Sequence, residues 1–235
     1  MSKYTFLFGG FVPELPKPSD WKEPKMFDCG LAATEAALVQ TYRVPTRAVG
    51  AFRSRLGALQ KQGLFGARNM PGKGVALRYG PDQFWRLIFV CELFEFGIAP
   101  SVVLSLVKLL WGRRLQEIQE IFSDAEDAVM KHQDAAGPDD VILHMGGVHL
   151  MVDGFSDAVP NVNSCPLSKL PDNVAMWMSI KHEDPNGLPP RALITNLSMR
   201  LRAFHTALGP AYMDELRAER AGKQRKRGRT VQTKQ

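Results

Sequence analysis

The feature that most constrains the fold is a helix, a tight turn and a second helix predicted between residues 34 and 63. Thr34 is expected to cap the first helix, which continues to about Tyr42, and the proline of the following "RVP" disfavours helix in the turn. Thr46 is expected to cap the second helix. The segment has an unusual charge: residues 36–81 contain eight Lys or Arg residues and no Asp or Glu. The pattern predicts a basic surface built on a helix-turn-helix.

The second helix has a buried face and an exposed face. At about 100° per residue, one face collects Val49, Phe52, Leu56 and Leu59, and we expect it to be buried. The opposite face holds Arg47, Gly50, Ser54, Gly57 and Lys61. A glycine inside a helix costs about 1 kcal/mol relative to alanine. Close approach of a partner to the backbone would explain this cost, and close helix packing at Gly57 is an alternative.

A second basic segment lies at the end of the chain. Residues 217–235 contain eight basic residues and one acidic residue, whereas the other 216 residues carry 22 basic and 23 acidic groups. Two basic segments on a nearly neutral body predict a polyanionic partner. Residues beyond the last helix lack apolar content and are expected to be disordered.

Further helices are predicted in the middle of the chain. Pro81-Asp82 begins a helix that ends near Phe96, and another runs from Ser101 to about Trp111. An acidic helix follows. Its apolar residues recur at heptad-like spacing and favour pairing with another helix: Leu115, Ile118, Phe122, Ala125 and Val129.

The C-terminal part is predicted to mix strands and helix. "VILHMGGVHLMV" favours two strands about Gly146-Gly147, residues 156–173 are predicted to be loop, and "VAMWMSI" is a strand candidate. A last helix is predicted to begin near Arg191. It carries an apolar stripe of Leu193, Leu197, Leu201, Phe204 and Leu208.

Other kinds of site are weakly indicated. In the hairpin about Gly146-Gly147, His144 and His149 would lie opposite each other and could share a metal ion, although packing is the commoner role of such a pair. Cys165 precedes a proline and lacks the context of a catalytic nucleophile. The three cysteines show no metal-binding or disulfide spacing, and no phosphate-binding glycine loop is present. We therefore predict neither a catalytic residue nor a bound metal or cofactor.

Apolar segments are too short or too interrupted to predict a membrane span. The N-terminal apolar run is broken by Gly9, Gly10 and Pro13, and the longer run near residues 84–111 is interrupted by charged residues. We expect a cytoplasmic protein, associated with the nucleoid if the polyanion is DNA.

Residues 34–111 resemble the winged helix-turn-helix of MerR-type transcription regulators. The similar features are Gly63-Leu64 at the end of the second helix, Tyr79 and Pro81-Asp82 after a glycine-containing hairpin, and the turn Gly97-Ile98-Ala99-Pro100. The resemblance implies sequence-specific binding of duplex DNA by a dimer, with the second helix in the major groove and the hairpin as a wing.

The predicted fold is mainly α with a smaller β component. Residues 1–26 form an extended arm, 27–112 a winged helix domain, 113–216 an α+β dimerisation or sensor region, and 217–235 a basic tail. The predicted DNA contacts are Arg43, Thr46, Arg47, Gly50, Arg53, Ser54, Lys61, Arg68, Lys73 and Arg78. Additional phosphate contacts are expected from Lys223, Arg225, Lys226, Arg227 and Arg229. Dimerisation is expected through Leu115, Ile118, Phe122, Leu197, Leu201 and Phe204.

Two other functions remain open. The same surfaces would suit a replication, partition or nucleoid protein that coats DNA with little sequence preference. Alternatively, the chain is an enzyme or a metal- or ligand-binding protein with its site near His144 and His149, and the winged helix contacts another protein. A small-molecule effector is compatible with each of these functions.

Overall fold

The computed structural model describes residues 29–65, 78–133, 135–146, 161–179 and 192–218. The described part is mostly helical with a small three-stranded antiparallel sheet, which confirms the predicted mainly α fold with a β component. The N-terminal arm, most of the predicted wing hairpin at residues 70–79, His149 and the tail after residue 218 lie outside the described residues.

Within the described residues, seven helices have defined bounds. They are α1 (Leu31–Thr41), α2 (Val49–Lys61), α3 (Pro81–Glu95), α4 (Pro100–Arg113), α5 (Leu115–Lys131), α6 (Leu170–Ser179) and α7 (Leu197–Leu208). A turn of 3-10 helix, Thr46–Ala48, precedes α2, and residues 210–218 are helical after Gly209. No helix in the described ranges is long and apolar enough to cross a membrane.

The strands that the structure describes form two antiparallel sheets. Strand β1 (Cys29–Gly30) pairs with β2 (Arg78–Tyr79) and so joins the start of α1 to the end of the predicted wing. In the second sheet, β3 (Val141–Gly146) lies between β4 (Asn161–Pro166) and β5 (Ala192–Asn196).

The ends of the first two helices differ from the predicted caps. Gly30, rather than Thr34, precedes α1, and the Thr34 hydroxyl donates to the Gly30 carbonyl from inside the helix at 3.2 Å. Thr46 lies in the 3-10 turn and makes no side-chain cap. The predicted end of α2 is confirmed: Gly63 has a φ of 88°, and the Leu64 amide donates to the Leu59 carbonyl. Glycine is the residue favoured at a helix end where φ is positive.

One hydrophobic core includes residues from both sides of the predicted domain boundary at 112. Helix α1 packs against α7, and α5 also packs against α7. The Phe84 ring of α3 contacts the rings of Phe204 and Tyr212 at centroid distances of 5.3 and 5.8 Å. The C-terminal helices therefore share one core with α1 to α4.

Five of the six predicted dimer contacts are instead buried in this core. Ile118, Phe122, Leu197, Leu201 and Phe204 are at most 1% exposed within a single chain. Their stripes follow from packing of α5 and α7 against their own neighbours, so these side chains are not available to a second copy. Leu115 is 39% exposed and is the one predicted dimer contact that remains at the surface.

Three further predictions in the C-terminal part are wrong. The "VAMWMSI" segment lies mostly in helix α6, residues 192–196 form β5 before the last long helix begins, and residues 161–166 form β4 where loop was expected. The second half of the predicted hairpin about Gly146-Gly147 lies outside the described residues, and its first half, β3, pairs with β4 on one side and with β5 on the other. In the sheet, His144 is paired with Asn163 of β4 and with Ile194 of β5.

Candidate nucleic-acid interface

Helix α2 has the two faces that its periodicity predicts. Leu56 and Leu59 are buried in the core, and Phe52 is partly buried against it. The opposite side of the 3-10 turn and helix is exposed at Arg47, Gly50, Ala51, Ser54, Ala58 and Lys61. Basic side chains therefore stand at the two ends of this α2 face, and small residues occupy its middle.

The C-terminal end of α2 is held by β2 and α3. The Gln60 amide donates to the Tyr79 hydroxyl at 2.7 Å, and the Phe65 ring packs edge-on against the Tyr79 ring. Burial raises the pKa of Tyr79, so its hydroxyl stays protonated. The Arg86 guanidinium donates to the Leu64 carbonyl at 3.1 Å and pairs with Asp82 at 2.9 Å. These contacts connect α2 to the predicted wing base and to α3.

The turn between α1 and α2 is anchored by a buried tyrosine. The Tyr42 hydroxyl lies 3.0 Å from the Ile88 carbonyl oxygen and 2.9 Å from Glu92 Oε1. Burial is the largest cause of the raised pKa of Tyr42, and the negative charge of Glu92 adds to it. Arg43 follows with a φ of 47°, an uncommon conformation for a residue other than glycine. The turn is thus set by contacts to α3.

Glu92 extends this anchor to the C-terminal part of the chain. The carboxylate pairs with Arg200 at 2.8 Å and accepts a hydrogen bond from the Thr195 hydroxyl. The Arg200 guanidinium also lies over the Tyr42 ring, 5.0 Å from its centroid. Sequence reasoning missed this network, although an acid within the apolar run "FVCELF" is a signal for a buried, partnered carboxylate.

Three arginines flank the exposed face of α2. Arg43 is exposed in the turn. Arg53 is 52% exposed and pairs with Glu35 of α1 at 3.4 Å, which holds its side chain on one flank of the helix. Arg55 is exposed on the other flank and was absent from the predicted contact set. Arg55 follows Arg47 by eight residues, and this helical spacing predicts a position beside the α2 face.

The two glycines of α2 have no packing role within the described residues. A Cβ atom added at Gly50 or at Gly57 would meet no atom of those residues within 4 Å, apart from neighbouring chain. Gly50 is exposed and Gly57 is partly exposed. Close packing against the described helices therefore does not explain Gly57, and the helix-propensity cost of about 1 kcal/mol at each position remains without an intramolecular benefit in this part of the chain.

Several predicted DNA contacts lie outside the described residues. Arg68 and Lys73 of the predicted wing, and the tail residues Lys223, Arg225, Lys226, Arg227 and Arg229, are outside the described residues. Arg78 is placed by its backbone in β2.

Of the two histidines of the metal alternative, the structure describes His144. His144 is 8% exposed in the central strand β3, and burial lowers its pKa. No group of three His, Cys, Asp or Glu residues suited to a metal ion occurs in the described ranges.

No family model, curated protein or solved structure matches this chain. The resemblance to MerR-type regulators consequently depends on the sequence features alone.

Proposed function

We propose that this protein binds duplex DNA sequence-specifically by placing α2 in the major groove, as in a winged helix-turn-helix. The observation that carries the proposal is the acid-free exposed face of α2, with Arg47 and Lys61 at its ends and Gly50 and Ser54 between them. A major groove about 12 Å wide admits one α-helix, and small side chains let the backbone approach the base edges. A transcription regulator located at the nucleoid is the role that this binding supports best.

The proposal assigns different tasks to the basic residues. Arg47 is at the N-terminal end of the recognition element, where base edges are usually contacted, and Ser54 lies two turns further along the same face. Arg43, Arg53, Arg55 and Lys61 are at its ends and flanks and would bind phosphates. The wing and tail arginines and lysines would add phosphate contacts.

Selection from a random pool of duplexes tests the proposal. The full chain is incubated with the pool over a series of salt concentrations, and the retained DNA is sequenced. Enrichment of a defined motif is expected, and a palindromic motif would indicate a dimer. Retention without enrichment would contradict sequence-specific recognition, and no retention at low salt would contradict DNA binding altogether.

Replacing Arg47 with Ala should weaken binding to the enriched duplex by about 1 to 3 kcal/mol and relax the preference at one base position. The reason is the loss of a contact to a base edge that the enriched duplex presents and most random duplexes do not. Fluorescence anisotropy with enriched and random duplexes measures both affinities. Arg113→Ala, which removes an exposed arginine at the end of α4, is the matched control. Equal losses on both duplexes would contradict base reading by Arg47.

Replacing Gly50 with Ala should change stability and DNA binding in opposite directions. The free energy of unfolding should rise by about 1 kcal/mol, because alanine favours the helix and the added Cβ has space. Affinity for duplex should fall, because the Cβ occupies the space that the DNA needs. Denaturant unfolding and anisotropy measure the two effects. Unchanged affinity in a stabilised variant would contradict close approach of DNA at this position.

Replacing Arg55 with Ala should weaken all duplexes alike and lower the slope of log affinity against log salt by about one. This is the behaviour of a phosphate contact. Affinities measured at four or more salt concentrations give the slope, again with Arg113→Ala as the control. An unchanged slope would exclude Arg55 from the interface.

A DNA-coating protein is the second candidate. The middle of the α2 face consists of Gly50, Ala51, Ser54 and Ala58, which offers few hydrogen-bonding groups for base recognition. Binding that is steeply salt-dependent, cooperative and unselective in the same pool would favour this function.

A further inference from the structure

A groove of about 710 Å³ lies beside the C-terminal half of α5. Three aspartates and one lysine line it: Asp124 and Asp127 of α5, Asp139 before β3, and Lys131, which pairs with Asp139 at 3.4 Å. Strand β4 forms the other side through Ser164. The charged side chains at its rim are exposed, so the groove is an open channel with an excess of negative charge.

The negative surface continues along α5. Glu120 lies four residues before Asp124 and is exposed on the same side of the helix. Glu117, one turn earlier, is already paired with Arg114. The carboxylates of Glu120, Asp124 and Asp127 therefore extend the negative surface along α5, and the Glu120 carboxylate also accepts a hydrogen bond from the Gln116 amide.

The described chain ends near the C-terminal end of α5. Arg217 donates a hydrogen bond to Gln133, which is two residues beyond the end of α5, and pairs with Asp214 at 2.7 Å. Residues 210–218 are helical, so the basic tail follows from the end of α5 at which Lys131 lines the groove.

We propose that the basic tail, residues 219–235, docks along this groove and the exposed face of α5 when no DNA is bound. Extended chain spans about 3.3 Å per residue, so the tail's 17 residues can reach about 55 Å, whereas α5, also 17 residues long, measures about 25 Å. The tail has seven basic residues and one acidic residue, which complements the carboxylates of the groove. Its covalent attachment gives a local concentration on the order of millimolar, which favours the chain's own tail over that of a second copy.

Docking of the tail would regulate the proposed DNA binding. The same lysines and arginines cannot pair with the α5 carboxylates and with phosphates at once, so DNA must displace the tail before using it. Because the pairs are exposed, salt should weaken the docking. The docking itself is independent of the DNA proposal, and only this regulatory role depends on it.

Zero-length cross-linking of the full chain at low salt tests the docking. A carbodiimide converts a carboxylate into an O-acylisourea, and a lysine amine attacks its acyl carbon to form an amide and release the urea. Mass spectrometry should find Lys223 or Lys226 joined to Asp124, Asp127 or Asp139. The double variant Asp124→Asn/Asp127→Asn should also reduce the remaining cross-links to Asp139, whereas Glu95→Gln, at an exposed acid of α3, should leave them unchanged.

The outcomes separate docking from DNA binding. Absence of these cross-links, or cross-links only between copies in a mixture of ¹⁴N- and ¹⁵N-labelled chains, would overturn the docking. Random duplex should abolish the cross-links, and the Asp124→Asn/Asp127→Asn variant should bind it about two- to tenfold more tightly. Cross-links that persist with bound duplex would overturn the regulatory role. Cross-links in a chain that binds no duplex would overturn the proposed function and leave the docking intact.

Discussion

Replacing Glu92 with Ala is expected to lower the free energy of unfolding by about 3 kcal/mol, because it leaves Arg200 without its buried partner. The Glu92 carboxylate is 5% exposed and the Arg200 side chain 27% exposed. The same substitution removes an acceptor for Tyr42 and one for Thr195. Since Tyr42 ends α1, the loss should also loosen the turn that orients α2. Denaturant-induced unfolding measures the change.

Glu95 provides the matched control for Glu92. It lies three residues later on α3 and is exposed, so Glu95→Ala should change stability by less than about 0.5 kcal/mol. A cycle that combines Tyr42→Phe with Glu92→Ala should show coupling between the two sites, because their side chains are in contact. Similar small losses for Glu92→Ala and Glu95→Ala, with no coupling, would contradict the role of this network.

The chain is expected to lose about 3 kcal/mol of stability between pH 6.5 and pH 4 through His205 alone. His205 is 2% exposed, its ring lies 5.2 Å from that of Tyr212, and burial lowers its pKa to about 4. Below pH 6.5 the unfolded chain binds a proton at this histidine, whereas the folded chain does not until about pH 4. The stabilisation is therefore complete above pH 6.5 and is lost as the pH falls.

His205→Phe should remove this pH dependence while keeping an aromatic ring in the core, and His205→Gln serves as a second variant if phenylalanine does not fit. Unfolding free energies at pH 7, 6, 5 and 4 give the comparison. Asp140 also makes stability depend on pH, but at lower pH than His205. Burial favours a raised pKa of its carboxyl group, but hydrogen bonds and charge from Arg202 outweigh burial and hold the pKa below its usual value. Parallel pH curves for the natural chain and both variants would contradict the role of His205.

The local features of helices α1 to α4 could be predicted from the sequence. The 3.6-residue period identified Leu56 and Leu59 as buried and Ser54 and Lys61 as exposed. Pro81 starts α3 as predicted, and Gly63 and Gly97 have positive φ at helix ends. These features depend on residues close in the chain, whose conformational preferences act locally.

Long-range contacts account for the errors. A buried stripe on α7 shows that Leu201 and Phe204 are covered, but not whether their own chain or a second copy covers them. The pairing of β3 with strands that begin 15 residues or more after its end depends on partners that no spacing reveals. The Glu92 network joins residues 42, 92, 195 and 200, and it forms only when the core brings α1, α3 and α7 together.

The most direct test of the central proposal is photo-cross-linking from the α2 face. Lys61, exposed at one end of the α2 face, is replaced by benzoylphenylalanine in the full chain, because a large side chain in the middle of that face would itself keep DNA away. Ser105, an exposed serine in the middle of α4, is replaced in a control. Each protein is irradiated with duplex from the selection. We predict cross-links to the bound motif from position 61 and none from position 105. Cross-links from position 105 alone, or equal yields from both positions, would contradict insertion of α2 into the major groove.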